Sequence, residues 1–458
     1  MRLPIPWLAA GLVAVLAATP AAAPPERVHL TIVHTNDLHG YVQNAAAVAA
    51  VARETKARNP HTLFLDAGDA ITGTPVSTVF RGEPIFEVMT LMGYDAATLG
   101  NHDFDHGWKQ VARFRALAAH PLLCANAKDP TGALLGDEAY RVFTVGGVRV
   151  GVIGLLTEDM PRLTTVENWD GCSVESPLAV AKRLVPEVRA KADLVVLLTH
   201  VGVEVDAAIA GAVPGIDLVV GGHTHTELKE ALWATCGDRK VPIVQAWRYG
   251  ERVGIVDFDW DPSERAMRVF RSRLVTIDAA TMPNAPDVKA LADQWTRRAS
   301  EKVDLSEVIG TAKRKLDKAA LRTAIERIYA DLTGADFGFQ NLAGVRAELA
   351  AGEIRVEDVW KALPFENTLV TLKLTGDQVP EYAKKRLGKA FDPAKAYVFA
   401  TNSFVADQQK KYFGVKDVPV EATGLSMRAA VVDWVRKHGG FDAEDGAPVH
   451  DEGEGEKR

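Results

Sequence analysis

The chain has 458 residues, of which 47% are hydrophobic and 25% charged, proportions that exclude a mainly disordered, fibrous or coiled-coil protein. At roughly 150 residues per domain, the length predicts two to three domains, each able to bury a core. Lys plus Arg total 53 against 60 Asp plus Glu, a net charge of −7. A nucleic acid polymer would meet net repulsion and is not an expected partner, whereas a small phosphate ester held by metals is compatible with this charge.

Residues 1–23 read as a secretory signal peptide. Arg2 supplies the positive start, residues 7–18 form an apolar run too short for a typical membrane span, and small residues follow at Thr19-Pro20-Ala21-Ala22-Ala23. Pro24 and Pro25 leave the cleavage point open, and an uncleaved N-terminal anchor is the alternative. No later segment is long and apolar enough to span a bilayer. The mature protein is therefore expected to be exported, periplasmic or extracellular, with no membrane insertion once the signal is gone. Three cysteines, Cys124, Cys172 and Cys236, allow one disulfide at most; Cys124 reads as a buried strand residue, and a Cys172–Cys236 bridge is left open.

From residue 28 to about 277, short β-rich runs alternate with helical stretches. Strands are predicted at 28–34, 62–65, 96–99, 148–155, 194–199 and 216–220, and helices at 45–58, 84–92, 108–119 and 178–190. Several strands are apolar on consecutive residues, as when both faces of a sheet are covered, and the alternation indicates an α/β domain over 24–280. Runs at 241–246, 253–259 and 267–275 predict a β-rich closure. A linker helix is expected within 281–306. A second unit over 307–442 has predicted helices at 319–332, 357–362, 377–385 and 424–437, and strands at 336–340, 368–374 and 396–400. The tail 443–458, rich in Glu, Asp and Gly, has no periodicity and reads as disordered.

Five polar clusters sit where the N-terminal strands end: Asn36-Asp37-Leu38-His39-Gly40, Gly68-Asp69, Gly100-Asn101-His102-Asp103-Phe104-Asp105, Thr199-His200, and Gly221-Gly222-His223-Thr224-His225. Each follows an apolar strand, so the side chains can converge at one sheet edge, where α/β ligand sites form. Asp, Asn and His supply the oxygen and imidazole donors that bind divalent transition metals. One such cluster means little; five in this order form a strong signal.

These clusters resemble the signature of the calcineurin-like metallophosphoesterases. Their surroundings, with Gly73-Thr74-Pro75 and His106-Gly107, resemble the exported 5′-nucleotidase branch, which includes bacterial UDP-sugar hydrolases and ecto-5′-nucleotidase. The resemblance runs to about residue 440, specific in the first domain and patchy in the second. It implies an α/β/β/α sandwich followed by a smaller α+β substrate-binding domain. It further implies two divalent metal ions (Zn, Mn, Co or Fe), with Asp37, His39 and His225 on one, Asn101, His200 and His223 on the other, and Asp69 bridging both. Two such ions clamp the attacking and leaving oxygens of a phosphoryl transfer and make a hydroxide nucleophile available near neutral pH. By the same resemblance His102 is the catalytic histidine, oriented by Asp105, while Asp103 receives no chemical role. His34 reads as a core or supporting residue.

In the second domain Gln340-Asn341-Leu342-Ala343-Gly344-Val345-Arg346 resembles the family's N-G-G-G-I-R loop, which implies substrate contacts for Asn341 and Arg346. Leu363-Pro364-Phe365-Glu366-Asn367 and Thr401-Asn402-Ser403-Phe404 resemble the segments whose aromatics, here Phe365 and Phe404, stack on a base. Two segments depart from the family. Residues 407–413 replace its G-G-D-G-Y/F loop, with Lys410 where the ribose-binding acid stands, and 321–328 erode its L-G-N-L-x-x-D-A helix. If Lys410 occupies that acid's place, ribose discrimination should be lost and anionic groups favoured; the alternative is that the loop has moved and Lys410 points into solvent. The expected activity is hydrolysis of a small phosphate ester, nucleotide in character. A dimetal hydrolase for 2′,3′-cyclic nucleotides, nucleotide sugars or sulfur esters is the enzymatic alternative, and a non-catalytic binding protein the other. The sequence carries no signal for oligomeric state.

Overall fold

The computed structural model describes residues 27–442. The signal segment and the acidic tail lie outside the described residues. The first unit is built on two six-stranded sheets. One runs in the order Ala266–Thr276, Arg252–Asp261, Val28–Thr35, Thr62–Asp66, Ala96–Thr98, Leu122–Leu123. Its last four strands are parallel, and Arg252–Asp261 closes it antiparallel to Val28–Thr35. The other runs Leu232–Cys236, Arg239–Val244, Leu218–Gly221, Leu194–His200, Val148–Leu156, Tyr140–Val145, parallel through its four central strands.

The consecutive apolar residues have a simple cause. Successive side chains of a strand point to opposite faces, and here both faces are buried. Leu30, Ile32 and Leu65 meet Val150, Val196 and Val220 between the sheets. Val33 and Phe64 instead face helices Ala45–Arg58 and Glu83–Met92, while Ile153, Leu197 and Val219 face Pro177–Arg189 and Val203–Ala212. Helices therefore cover both outer faces, an α/β/β/α sandwich. The predicted strands agree with those observed to within about two residues. Helix Val203–Ala212 escapes the sequence because a buried acid, Asp206, interrupts its apolar face. The segment expected as a helix over 108–119 is a single 3₁₀ turn, Trp108–Gln110, leading into Val111–Leu117. All three cysteines are free, so no Cys172–Cys236 bridge forms.

Helix Pro286–Lys302 packs on the first unit's helical layer: Val288, Ala292 and Trp295 join its core, and the Trp295 indole donates to Glu87 at 3.1 Å. Beyond it, strands Phe337–Gly338, Ala396–Asn402, Thr368–Thr375 and Val420–Ser426 form one sheet, and Val308–Ala312 pairs with Gly352–Arg355 and Gly440–Phe441 in another. Helices Lys318–Thr333, Val356–Ala362 and Met427–His438 pack against them. The last helix begins at Met427 rather than 424. Gly424 has φ +75°, which no right-handed helix admits, and the Ser426 hydroxyl caps the Ala429 N–H.

One buried group in the first unit has a measurable consequence. His120 is 5% exposed, both ring nitrogens lack partners, and burial pushes its pKa down from 6.5 to about 4. The unfolded chain therefore takes up this proton first as pH falls. The stability contribution is full above 6.5 and lost on the way to 4, about 3 kcal/mol over the window. His120→Leu is expected to flatten the acid limb of a stability-versus-pH curve from denaturant melts. An unchanged curve would show that His120 does not govern it.

Candidate active site

Because the central strands of each sheet are parallel, their C-terminal ends open on one edge. Asp37 and His39 follow Val28–Thr35, Asp69 follows Thr62–Asp66, and Asn101 and His102 follow Ala96–Thr98. His200 ends its strand, and His223 and His225 follow Leu218–Gly221. Backbone bonds lace the loops together, Asp37 N–H to Gly68 O and His39 N–H to Asp69 O, both 2.9 Å. Five of these side chains sit on left-handed backbone: φ is 52° at Asp37, 49° at His39, 57° at Asp69, 78° at His223 and 50° at His225. Each such residue costs roughly 1–3 kcal/mol, so the surrounding structure holds strained geometry here.

Two donor groups result. Asp37, His39 and His225 form one, and Asp69, His200 and His223 the other, the atoms within each lying inside 4.8 Å of one another. Asp37 Oδ1 is 3.1 Å from His225 Nε2 and 3.8 Å from His39 Nε2; Asp69 Oδ2 is 3.1 Å from His200 Nε2 and 3.7 Å from His39 Nε2. Two ligand atoms about 2.1 Å from a tetrahedral ion lie about 3.4 Å apart. The spacings fit that geometry, and Asp69 Oδ2 stands between the groups.

The free valences also fit. His39 Nδ1 donates to Thr72 O and His200 Nδ1 to Ala67 O, both 2.7 Å, which leaves each Nε2 as a lone pair when the ring is neutral. The Asn36 amide and the His223 N–H both donate to Asp37 Oδ2, at 2.6 and 3.0 Å. Asp37 Oδ1, His200 Nε2 and Asn101 Oδ1 are then buried with no hydrogen-bond partner. Burial lowers the pKa of His39, and of His223 to about 4, keeping both neutral. At His200 burial is outweighed by Asp69 and Asp37, which raise it to about 10. The field that holds that proton would equally hold a cation. Mixed nitrogen and oxygen donors suit Zn, Mn, Co or Fe.

His102 Nδ1 is 2.9 Å from Asp105 Oδ2, and its backbone N–H donates to Asp69 Oδ1 at 2.7 Å. Burial depresses its pKa, but Asp105 and Asp69 prevail and raise it. Asp103, given no role from sequence, accepts from Gly100, Ala70 and Ile71 N–H groups and so clamps two ligand loops together. Asn36 likewise orients Asp37 while accepting from Ala246 N–H at 2.7 Å. Both stand inside the signature clusters, but their backbone partners in other loops carry no sequence signal. His34 is buried behind the site, where a Cβ at Gly254 would lie 1.9 Å from its Nε2.

Asp69, His223 and His225 of the donor groups, with Asn101 and His102, line a cavity of about 1520 Å³ walled by both units. Asn341, Arg346, Phe365 and Phe404 all line it. Phe365 lies on His102, ring centroids 5.4 Å apart and planes 25° apart, and Phe404 meets Tyr412 edge-on at 6.5 Å. His106 also lines it, 3.4 Å from Glu366 of the second unit. Lys410 does not. It is exposed on the short helix Gln409–Phe413, and its neighbour Lys411 faces the cavity with Asp407 instead. Adjacent helical residues diverge by about 100°, so the solvent-facing alternative for Lys410 holds and the loss of ribose discrimination does not follow from it. Asp407, Lys411, Arg248 and Lys318 are cavity residues that sequence reasoning missed.

Comparison with known proteins agrees with this architecture. Residues 30–227 match the calcineurin-like phosphoesterase family and 302–385 the 5′-nucleotidase C-terminal domain. The chain is 28% identical to protein UshA of Yersinia enterocolitica over 93% of its own length and 88% of that protein. It is also 28% identical to a 5′-nucleotidase of Vibrio cholerae, covering 86% of this chain and 82% of that one. A 5′-nucleotidase precursor from Thermus thermophilus superposes with a TM-score of 0.80 at 25% identity, covering 91% of this chain and 97% of that one. The chain thus belongs through its first unit to the calcineurin-like phosphoesterases, a family of metal-dependent hydrolases, and joins to it a 5′-nucleotidase C-terminal domain.

Proposed function

We propose that this protein is an exported hydrolase of small phosphate esters, nucleotides foremost, acting at a two-metal centre. The observation that supports it best is the pair of donor groups meeting at Asp69, with bare buried acceptors aimed inward. Asp37, His39 and His225 would hold one divalent ion, Asn101, His200 and His223 the other, and Asp69 would bridge. Such ions supply charge to the phosphoryl oxygens and acidify water at the site. His102, whose charged form Asp105 favours, would stabilise the transition state or serve the leaving oxygen. Arg346 offers a planar fork to phosphate oxygens, while Asn341, Phe365 and Phe404 would contact the organic part. Export rests on the form of residues 1–23; among the described residues no helix is long and apolar enough to cross a membrane.

The test is chromatographic product analysis of a panel holding a mononucleotide, a sugar phosphate, a 2′,3′-cyclic nucleotide and a nucleotide sugar, with a sulfate ester assayed alongside. The expected result is mononucleotide hydrolysis that a chelator abolishes and added Zn, Mn, Co or Fe restores. A chain that binds nucleotides but turns over nothing with any metal would be a binding protein, and the proposal would fail.

A further inference from the structure

Three cations from both units share one wall of the cavity. Arg248 lies beyond strand Arg239–Val244, Lys318 opens helix Lys318–Thr333, and Arg346 follows the turn Leu342–Gly344. The Arg248 guanidinium rests on the rings of Trp247 and Tyr249, 5.0 and 4.6 Å from their centroids. Tyr249 in turn stands edge-on to His39 at 5.6 Å and His225 at 6.1 Å, so Arg248 is one ring's width from the first donor group. Arg346 lies 5.8 Å over Phe365, the ring that covers His102. Lys318 is half-buried near both arginines, and burial, followed by their charges, lowers its pKa.

The nearby acids have partners of their own, although Glu348 also acts on Lys318. Asp317 caps the Ala320 N–H at 2.8 Å, Glu348 pairs with Lys315 at 2.5 Å, and Glu251 accepts from the Trp247 indole at 3.0 Å. Arg248 Nε is buried without a hydrogen-bond partner. Three like charges brought together on one wall repel, and a bound anion is what offsets that cost. One phosphate gripped by two metals, His102 and Arg346 leaves little for Arg248 and Lys318 to bind. Neither residue belongs to any motif legible in the sequence.

We propose that Arg248 and Lys318, beside Arg346, form a subsite for a second anionic group carried by the substrate next to its scissile phosphate. This rests on the hydrolase reading above and narrows it: bis-anionic esters are favoured over simple monoesters. The second group is a phosphate or a carboxylate, since either fits a guanidinium fork beside an ammonium.

The metal-loaded protein, freed of excess metal, would be titrated calorimetrically with methylphosphonate, methylenediphosphonate and phosphonoacetate. The same titrations would follow on Arg248→Met, Lys318→Met and Arg248→Lys, with kcat/KM measured on a nucleoside mono- and diphosphate. Wild-type protein should bind the diphosphonate about 10-fold or more tighter than methylphosphonate. Each methionine variant should lower that ratio, and the matching ratio of kcat/KM, by about 10-fold or more, the weight of one charged hydrogen bond. Arg248→Lys should restore part of it. Phosphonoacetate binding like the diphosphonate would identify the subsite as one for any oxyanion; binding like methylphosphonate would identify it as one for phosphate. Ratios that do not move, or equal losses for all three ligands, would place these cations elsewhere and overturn the proposal. A wild-type protein without turnover that keeps the diphosphonate preference would sink the hydrolase reading and spare the subsite.

Discussion

Asp69→Ala is expected to lose both metals together and to lower kcat/KM by roughly 10³ or more, equivalent to about 4 kcal/mol of transition-state stabilisation. The reason is position. Its Oδ2 lies 3.1 Å from His200 Nε2 in one donor group and 3.7 Å from His39 Nε2 in the other, while Oδ1 holds the His102 backbone N–H at 2.7 Å. Burial works against its charge, but His200 and His102 outweigh that and hold the carboxyl well below the usual range, so it stands ionised. Asp69→Asn keeps the shape and the acceptor toward His102 but not the charge, and serves where the alanine variant fails to fold. Elemental analysis decides the matter. Two metals per chain with near wild-type turnover in either variant would end the bridging assignment.

His102→Ala should do the opposite. Metal content stays at the wild-type level while kcat falls by roughly 10²–10⁴, the usual worth of a positioned acid or base. The imidazole lines the cavity with one nitrogen given to Asp105, and only its backbone N–H touches Asp69. Asp105→Asn should cost less, because the ring remains and loses only its charged partner. A collapse of metal content in His102→Ala would make this residue a ligand and reverse the roles.

The α/β alternation and the polar clusters at the strand ends were legible for one physical reason, while the sandwich and the metal-ligand set came from the family resemblance. A strand buried on both faces is apolar without interruption, so the polar residue that breaks the run marks the strand's end and lies on the active edge. His223 announces itself this way and Asp69 and Asn101 follow their runs within a few residues, whereas Val28–Thr35 carries His29, Thr31 and His34 within it, so Asp37 stands out by its motif. What supports them does not. Asp103 and Asn36 stand in the polar clusters, but their role, bonds to backbone groups of other loops, carries no local pattern. The cavity wall was still less legible, since Arg248 and Lys318 meet only after two units assemble. Lys410 shows the matching limit. Its place beside the departed motif made it a candidate for the site, and the turn of a short helix carries it to solvent.

The closing strand of the first sheet has a consequence for how the molecule is made and cut. Val28–Thr35 lies at the centre of its sheet, flanked on one side by Thr62–Asp66 and on the other by Arg252–Asp261, with His34 opposite Gly254. The earliest strand to emerge therefore keeps one bare edge until almost the whole first unit has been synthesised. Contacts so remote in sequence slow folding, and an open apolar edge invites pairing with other chains. Residue 227, where the match to the phosphoesterase family stops, is thus a poor place to divide the protein. A fragment ending there would carry all seven proposed metal ligands while the central strand of one sheet lacks half its hydrogen bonds.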